Sequence, residues 1–343
     1  MDFTALQLLW YILLGLLLAG YAILDGFDLG VGILHPLARN DRERRILMNS
    51  IGPLWDGNEV WLVVFGGALF AAFPAAYAAA FSGLYLAFML ILFCLIFRGV
   101  SMEFRSKHPG TAWRRTWDFA FWASSSSAAF LFGVAVGNCM RGLPLAPDGD
   151  FAAPLRVFDL FHVYPVCVGL FAVAAFALHG SIYLLMKTED DLHRRVVRWT
   201  WTAFAAFLAL YLLVTTMTIL TIPRATANFQ THPWAWIIVL LNMLAIANIP
   251  RSIYLRHPLW AFVSSGATIA AFTFLFGMTL FPNLIVSSLN PGDSLTIAKA
   301  ASTEKTLGIM AIIAALGIPF VLAYTAVVYW VFRGKVVLHD ESY

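Results

Sequence analysis

Apolar residues along this chain fall into long runs separated by short polar stretches. The runs lie at roughly 6–34, 51–73, 76–97, 117–140, 161–186, 197–221, 233–249, 258–281 and 306–332. A helix crossing a bilayer needs about 20 largely apolar residues. The pattern therefore predicts nine spanning helices, of which the seventh is the shortest. The alternating polar and apolar pattern of a membrane barrel is absent, so helices must satisfy the backbone inside lipid. The expected fold is an all-α integral membrane protein, with residues 1–343 forming one membrane domain. A short internal similarity, LFGVAVGN from Leu131 to Asn138 and LFGMTLFPN from Leu275 to Asn283, relates the fourth run to the eighth. It suggests two four-helix bundles of like orientation plus one extra helix.

Composition strengthens this reading. The chain is 61% hydrophobic and 12% charged, with mean hydropathy +0.79, whereas soluble domains carry about 25% charged residues. No Lys or Arg precedes the first run, Asp2 does, and the run is too long for a signal core, so it reads as a spanning helix. The loops after helices 1, 3, 5 and 7 and the tail hold 17 of the 22 Lys and Arg; Arg141, Arg156, Arg224, Lys299 and Lys305 make up the rest. Positive charge stays on the cytoplasmic side of short loops, which places the N-terminus outside and the C-terminus in the cytoplasm. The longest outer loops, about 141–160 and 282–304, are rich in turn residues and too short for a folded domain. Function is therefore expected in the membrane or on a partner.

Ionisable groups in a spanning segment are costly and mark function by default. The first helix carries Asp25 and Asp28 in LDGFDLG, and the second opens with Asp56 and Glu59 in WDGNEVW. Each pair is spaced i, i+3, on one helix face. All four lie on the cytoplasmic half, where such carboxylates cannot all be ionised cheaply and so exchange protons at working pH. Arg98, ending the third helix on the same side, is placed to hold one carboxylate as a bidentate partner. The five residues are candidates for a proton pathway. The competing reading is that Asp56 and Glu59 cap a helix while Asp25 and Asp28 pair with loop arginines. Trp55 and Trp61 read as interface anchors or as parts of that traffic. Asp118 reads as an ordinary acid near a helix start, and Ser124 to Ser127 as a packing surface.

Other chemistry is poorly supported. Only His162 and His179 lie in predicted helices; His35, His108, His193, His232, His257 and His339 fall in loops or ends. That census argues against haem or copper ligation by this chain. Cys94, Cys139 and Cys167 have no metal spacing and read as buried, inert thiols. Catalytic triads, phosphate loops and nucleic-acid signatures are not legible. A stand-alone proton-coupled transporter would also carry buried acids, and a purely structural subunit would make those acids dispensable.

Five stretches carry a family likeness: LDGFDLGVGIL, NSIGPLWDGNEVWLVVFGGALFAAFP, YAAAFSGLY, FRGVSMEFRSK and, near the end, LFPNLIVSSLNPGDSLTIAKAASTEKTLGIM with YTAVVYWVFRGKV. Together they resemble subunit II of the cytochrome bd quinol oxidase. The resemblance implies a nine-helix subunit of a complex that oxidises quinol and reduces dioxygen to water in a prokaryotic cytoplasmic membrane. It implies that haems b and d belong to subunit I, against which this chain packs, and that this chain helps supply protons from the cytoplasm. Asp56 matches the family's proton-route aspartate, while Asp25, Asp28 and Arg98 fall in matching blocks. In some relatives subunit II holds a structural quinone, and a small single-helix subunit and membrane lipids are further expected partners.

Overall fold

A computed structural model describes residues 3–152 and 156–338, the side chain of Val157 excepted. Asp2 and His339 lie outside the described residues. The chain is helical almost throughout. In order the helices are α1 (Ala5–Leu34), α2 (Asp41–Ile51), α3 (Trp55–Ala72), α4 (Pro74–Gly83), α5 (Tyr85–Arg105), α6 (Thr111–Arg141) and α7 (Val163–Lys187). They continue with α8 (Asp190–Thr221), α9 (Arg224–Thr231), α10 (Trp236–Tyr254), α11 (Pro258–Leu280), α12 (Ile297–Ala300) and α13 (Glu304–Val331).

Eight of these are long and apolar enough to cross a membrane, and the number rises to nine if the bent pair α3–α4 is one span. The molecule is a multi-pass membrane protein. The sequence expectation differs from the structure at 76–97: that run is not one helix. The chain turns by 120° between α3 and α4, and α5 starts only at Tyr85. Pro74 accounts for the bend between α3 and α4, where the apolar runs also part, and the break inside 76–97 falls at Leu84, between α4 and α5. Pro74 occupies the first turn of α4, where its missing N–H costs nothing, whereas inside a continuous helix it would remove a hydrogen bond. The carbonyls left open at the end of α3 are satisfied from afar: Ser302 donates its N–H to Ala72 O at 2.9 Å and its hydroxyl to Ala71 O at 2.7 Å.

Local sequence also sets the other helix starts. Thr4 and Gln7 form a reciprocal capping box at α1, and Asn40 caps α2 through the Glu43 N–H at 2.9 Å. The 30 residues of α1 span about 45 Å. It occupies the centre, packing on α3, α6, α7, α11 and α13. Glycines permit these contacts. A Cβ at Gly30 would sit 1.9 Å from Phe176 O, and one at Gly180 would sit 2.5 Å from the Gly30 carbonyl carbon, so α1 and α7 cross backbone to backbone. The expected serine packing surface exists: Ser125 lies where a Cβ on Gly32 would meet its hydroxyl. Cys94, Cys139 and Cys167 are free, but partly exposed rather than buried.

At one end of the molecule the two long loops join. Strands β1 (Asn283–Ile285) and β2 (Leu295–Thr296) pair antiparallel, and Leu143 exchanges backbone hydrogen bonds with Val286 and Ser288 at 2.8 Å each. The arginine-rich segments lie at the opposite end, where the C-terminal tail docks: Lys335 donates to Thr188 O at 2.7 Å.

Candidate functional site

The acids of LDGFDLG and WDGNEVW come from adjacent, packed helices. Spacings of four and three residues, close to the 3.6 of a helical turn, set Tyr21, Asp25 and Asp28 in one stripe on α1, and that stripe meets Asn58 of α3 and Arg98 of α5. Asp25, Asp28 and Arg98 are fully buried.

Two connected groupings result. In the first, Arg98 Nη1 donates to Asp25 Oδ1 at 2.5 Å and Arg98 Nη2 donates to Glu59 Oε2 at 3.2 Å. The guanidinium thus joins α5 to acids on α1 and α3. In the second, Asn58 Nδ2 donates to Asp28 Oδ2 at 2.8 Å and to Leu24 O at 3.2 Å. The Tyr329 hydroxyl from α13 donates to Asn58 Oδ1 at 2.9 Å. Asp25 Oδ2, Asp28 Oδ1 and the Tyr21 hydroxyl are buried with no hydrogen-bond partner among the described residues. Each leaves a lone pair or a proton available for transfer.

Asp56 stands apart. It is exposed on the outer face of α3 and makes no hydrogen bond or ion pair among the described residues. The structure therefore joins Asp25 and Glu59 to Arg98, sets Asp28 in a separate grouping with Asn58, and leaves Asp56 at the rim. Sequence reasoning missed Asn58 and Tyr329. Asn58 lies between the two acids it noticed, so the i, i+3 pairing itself was the available signal; Tyr329 carried none. Trp55 lies against Gly99 and Trp61 against Gly20, so both indoles pack on neighbouring helices.

A second charged cluster was also missed. Asp118 accepts from Arg105 Nε at 2.6 Å and Arg44 Nη1 at 3.0 Å, and it pairs with His35 Nε2 at 2.7 Å. Asp41 takes Arg105 Nη2 at 2.8 Å and Arg114 Nη1 at 3.2 Å. The cluster ties the inner ends of α1, α2, α5 and α6. Its signal was periodic: Arg105 follows Arg98, and His35 follows Asp28, by seven residues, two helical turns on the same face. Asp118 is thus a hub and not merely an acid near a helix start.

Groups of three or more His, Cys, Asp or Glu placed to hold a metal are absent among the described residues. Of the helical histidines, His179 spends both ring nitrogens on protein, Nδ1 with Ser265 Oγ at 2.7 Å and Nε2 with Ile23 O at 3.0 Å. His162 is exposed at the start of α7. Neither fits an axial haem ligand on a shared buried face.

A sequence profile of the family described as cytochrome bd terminal oxidase subunit II matches residues 6–332. The chain belongs to this family. It is 35% identical over 374 aligned positions to cytochrome bd-I ubiquinol oxidase subunit 2 of Escherichia coli strain K12, covering 99% of this chain and 97% of the relative. It is 36% identical to cytochrome bd ubiquinol oxidase subunit 2 of Bacillus subtilis strain 168, covering 98% of each. The fold resembles that of the bd oxidase from Geobacillus thermodenitrificans, with a TM-score of 0.79 at 18% identity over 96% of this chain and 99% of that one. As a bd oxidase subunit II, the chain is one subunit of a haem-containing oxidoreductase complex of the respiratory chain. Asp25 and Asp28 are accordingly buried acids of a quinol oxidase subunit.

Proposed function

We propose that this chain packs against a haem-bearing subunit I in a prokaryotic cytoplasmic membrane and gives protons a route from the cytoplasm toward the oxygen-reduction site. Nine spans with the N-terminus outside belong to the same reading. So does the grouping of α1, α3, α5 and α6, in which α1 packs on α3 and α6 and α5 packs on α6, beside α7, α8, α10 and α11, in which α7 packs on α8 and α11 and α10 packs on α11, with α13 as the extra helix. One observation carries the mechanism. Arg98 is hydrogen-bonded to two carboxylates, Asp25 and Glu59, a third, Asp28, lies one turn further along α1 on Asn58, and a fourth, Asp56, opens from the first turns of α3 onto the chain's surface.

Arg98 supplies positive charge that keeps a negative carboxylate tolerable at that depth, but it cannot itself be deprotonated. Protons must therefore move on the carboxylates. Asp25 and Asp28 keep one oxygen each free for that step, while Asn58, anchored on Leu24 O, orients Asp28 through one hydrogen bond. Glu59, half-exposed, connects Arg98 to the surface that Asp56 shares. The haems of the complex, b and d in this reading, carry out oxygen chemistry on the partner. This chain's side chains hold and pass protons only. Quinol is the substrate of the assembled complex. A structural quinone, a small single-helix subunit and lipids remain part of the expected assembly.

The test is the double replacement Asp25→Asn with Asp56→Asn in the intact complex. Quinol-driven oxygen consumption should fall by about 100-fold, the scale of a lost positioned proton donor, while the haem absorbance per complex stays unchanged. Unaltered turnover would overturn the route. A homo-oligomer active without any haem-bearing chain would instead favour a transporter.

A further inference from the structure

A groove of about 290 Å³ opens at the end of the molecule opposite the arginine-rich loops, lined by Arg141, His162, Val163, Tyr164, Met217 and Thr221. The residues come from the last turn of α6, the start of α7 and the last turns of α8. Its floor is fixed: the Tyr164 hydroxyl bonds Thr218 Oγ1 at 2.8 Å and contacts Met140 Sδ at 3.3 Å. Arg224, from the start of α9, donates to Met140 O, which brings a second guanidinium beside Arg141.

The charge here is unusual. Five arginines at the other end, Arg44, Arg98, Arg105, Arg114 and Arg195, sit in ion pairs with acids. Arg141 and Arg224 make no ion pair with a carboxylate among the described residues, and Arg224 Nε is buried without a partner. Only five of the 22 Lys and Arg fall on this side of the charge pattern, where cations are normally sparse. One of them, Arg141, lines the groove with His162, and a second, Arg224, is anchored next to it on Met140 O.

The groove also sits at a boundary between polar helix ends and apolar surface. Val163 is 74% exposed and Leu220 is 76% exposed beside it, with Leu170 and Leu213 further along the same helices. A phosphate is the group that paired guanidinium donors bind best, and basic pockets between spanning helices take anionic lipid headgroups. The apolar wall beneath suits acyl chains and offers nothing to a free ion.

We propose that this groove binds the phosphate of an anionic phospholipid, held by Arg141 and His162 with Arg224 beside them, its acyl chains lying along α7 and α8. The site is independent of the proton route. Its test uses the assembled oxidase complex, stripped of lipid in detergent and then given dioleoylphosphatidylglycerol, dioleoylphosphatidylcholine, or inorganic phosphate in excess. Native mass spectrometry counts the lipid retained, and a thermal shift gives a second readout. The wild-type complex should retain phosphatidylglycerol and gain thermal stability from it. Arg141→Gln with His162→Gln should lose retention at least about tenfold, a difference of about 1.4 kcal/mol, while Arg141→Lys keeps most of it. Quinol oxidation should persist in both variants. Equal retention by the wild type and the double variant, equal retention of phosphatidylcholine, or displacement of the lipid by inorganic phosphate would each overturn the proposal.

Discussion

At the scale of single residues, Arg98 decides the most. It is buried on α5, and its two terminal nitrogens hold Asp25 and Glu59. Removing one partner of a buried pair leaves an uncompensated charge, at a cost of about 3–5 kcal/mol. Arg98→Gln should therefore lower the melting temperature and yield of the complex sharply. Adding Asp25→Asn to it should recover much of the loss, because the second change removes the stranded carboxylate. A thermal melt of both variants and of Asp25→Asn alone checks this; a loss in the double variant equal to the sum of the two single losses would show that the two side chains are not coupled. Glu43 shows the opposite case, a charge in contact with water. Burial pushes its carboxyl up, but hydrogen bonding from Arg195 and the Arg39 N–H outweighs that and holds it below its ordinary 4.5. A depressed folded value means the tie between α2 and α8 is complete above 4.5 and is lost as pH falls through the lowered value. Hydrogen exchange of the α2 amides, corrected for intrinsic rates, should lose protection only in that acid range, and Glu43→Gln should abolish the pH dependence.

At the scale of elements, helix crossings rest on absent side chains. Gly180→Val would force a methyl group into the backbone of α1 at Gly30, and overpacking of this kind costs about 1–3 kcal/mol even where neighbouring side chains can move. Here the obstacle is main chain, so α1 and α7 must separate, and the stripe carrying Asp25 and Asp28 must move with α1. The expected outcome is a lowered melting temperature together with reduced oxygen consumption, whereas Gly308→Ala, at an open position on α13, should leave both unchanged. The same glycines explain what was legible beforehand. Runs of apolar residues specify where helices cross, and acids within such runs stand out because lipid penalises them. The break after Phe73 was legible, since the apolar runs part at Pro74, but the partner of its open carbonyls was not, because Ser302 lies some 230 positions away. Tyr329 and the Asp118 cluster were hidden for the same reason. Their partners lie on other helices, and a single run records only its own periodicity.

At the scale of the molecule, the outer face of α3 poses the remaining problem. Asp56 is exposed there, Val63 is 70% exposed, and a side chain added at Gly57, Gly66 or Gly67 would meet open space. A carboxylate facing lipid is costly, and a smooth surface of glycine and valine favours close approach of another helix. Both conditions are met if protein covers this face. The haem-bearing subunit is the natural occupant, because a proton leaving Asp56 must then enter the chain that reduces oxygen. Gly67→Trp separates this idea from ordinary misfolding. Within the isolated chain a Cβ at exposed Gly67 meets open space, so the subunit should still reach the membrane at its normal level. The indole would hold a partner helix away, and affinity purification through this chain should then recover haem reduced at least about tenfold, or 1.4 kcal/mol in association. Leu220→Trp, on the exposed face of α8, supplies the matched control and should recover haem in full. If both variants recover haem equally, the partner lies elsewhere, and Asp56 would have to deliver protons to a surface other than the one it faces.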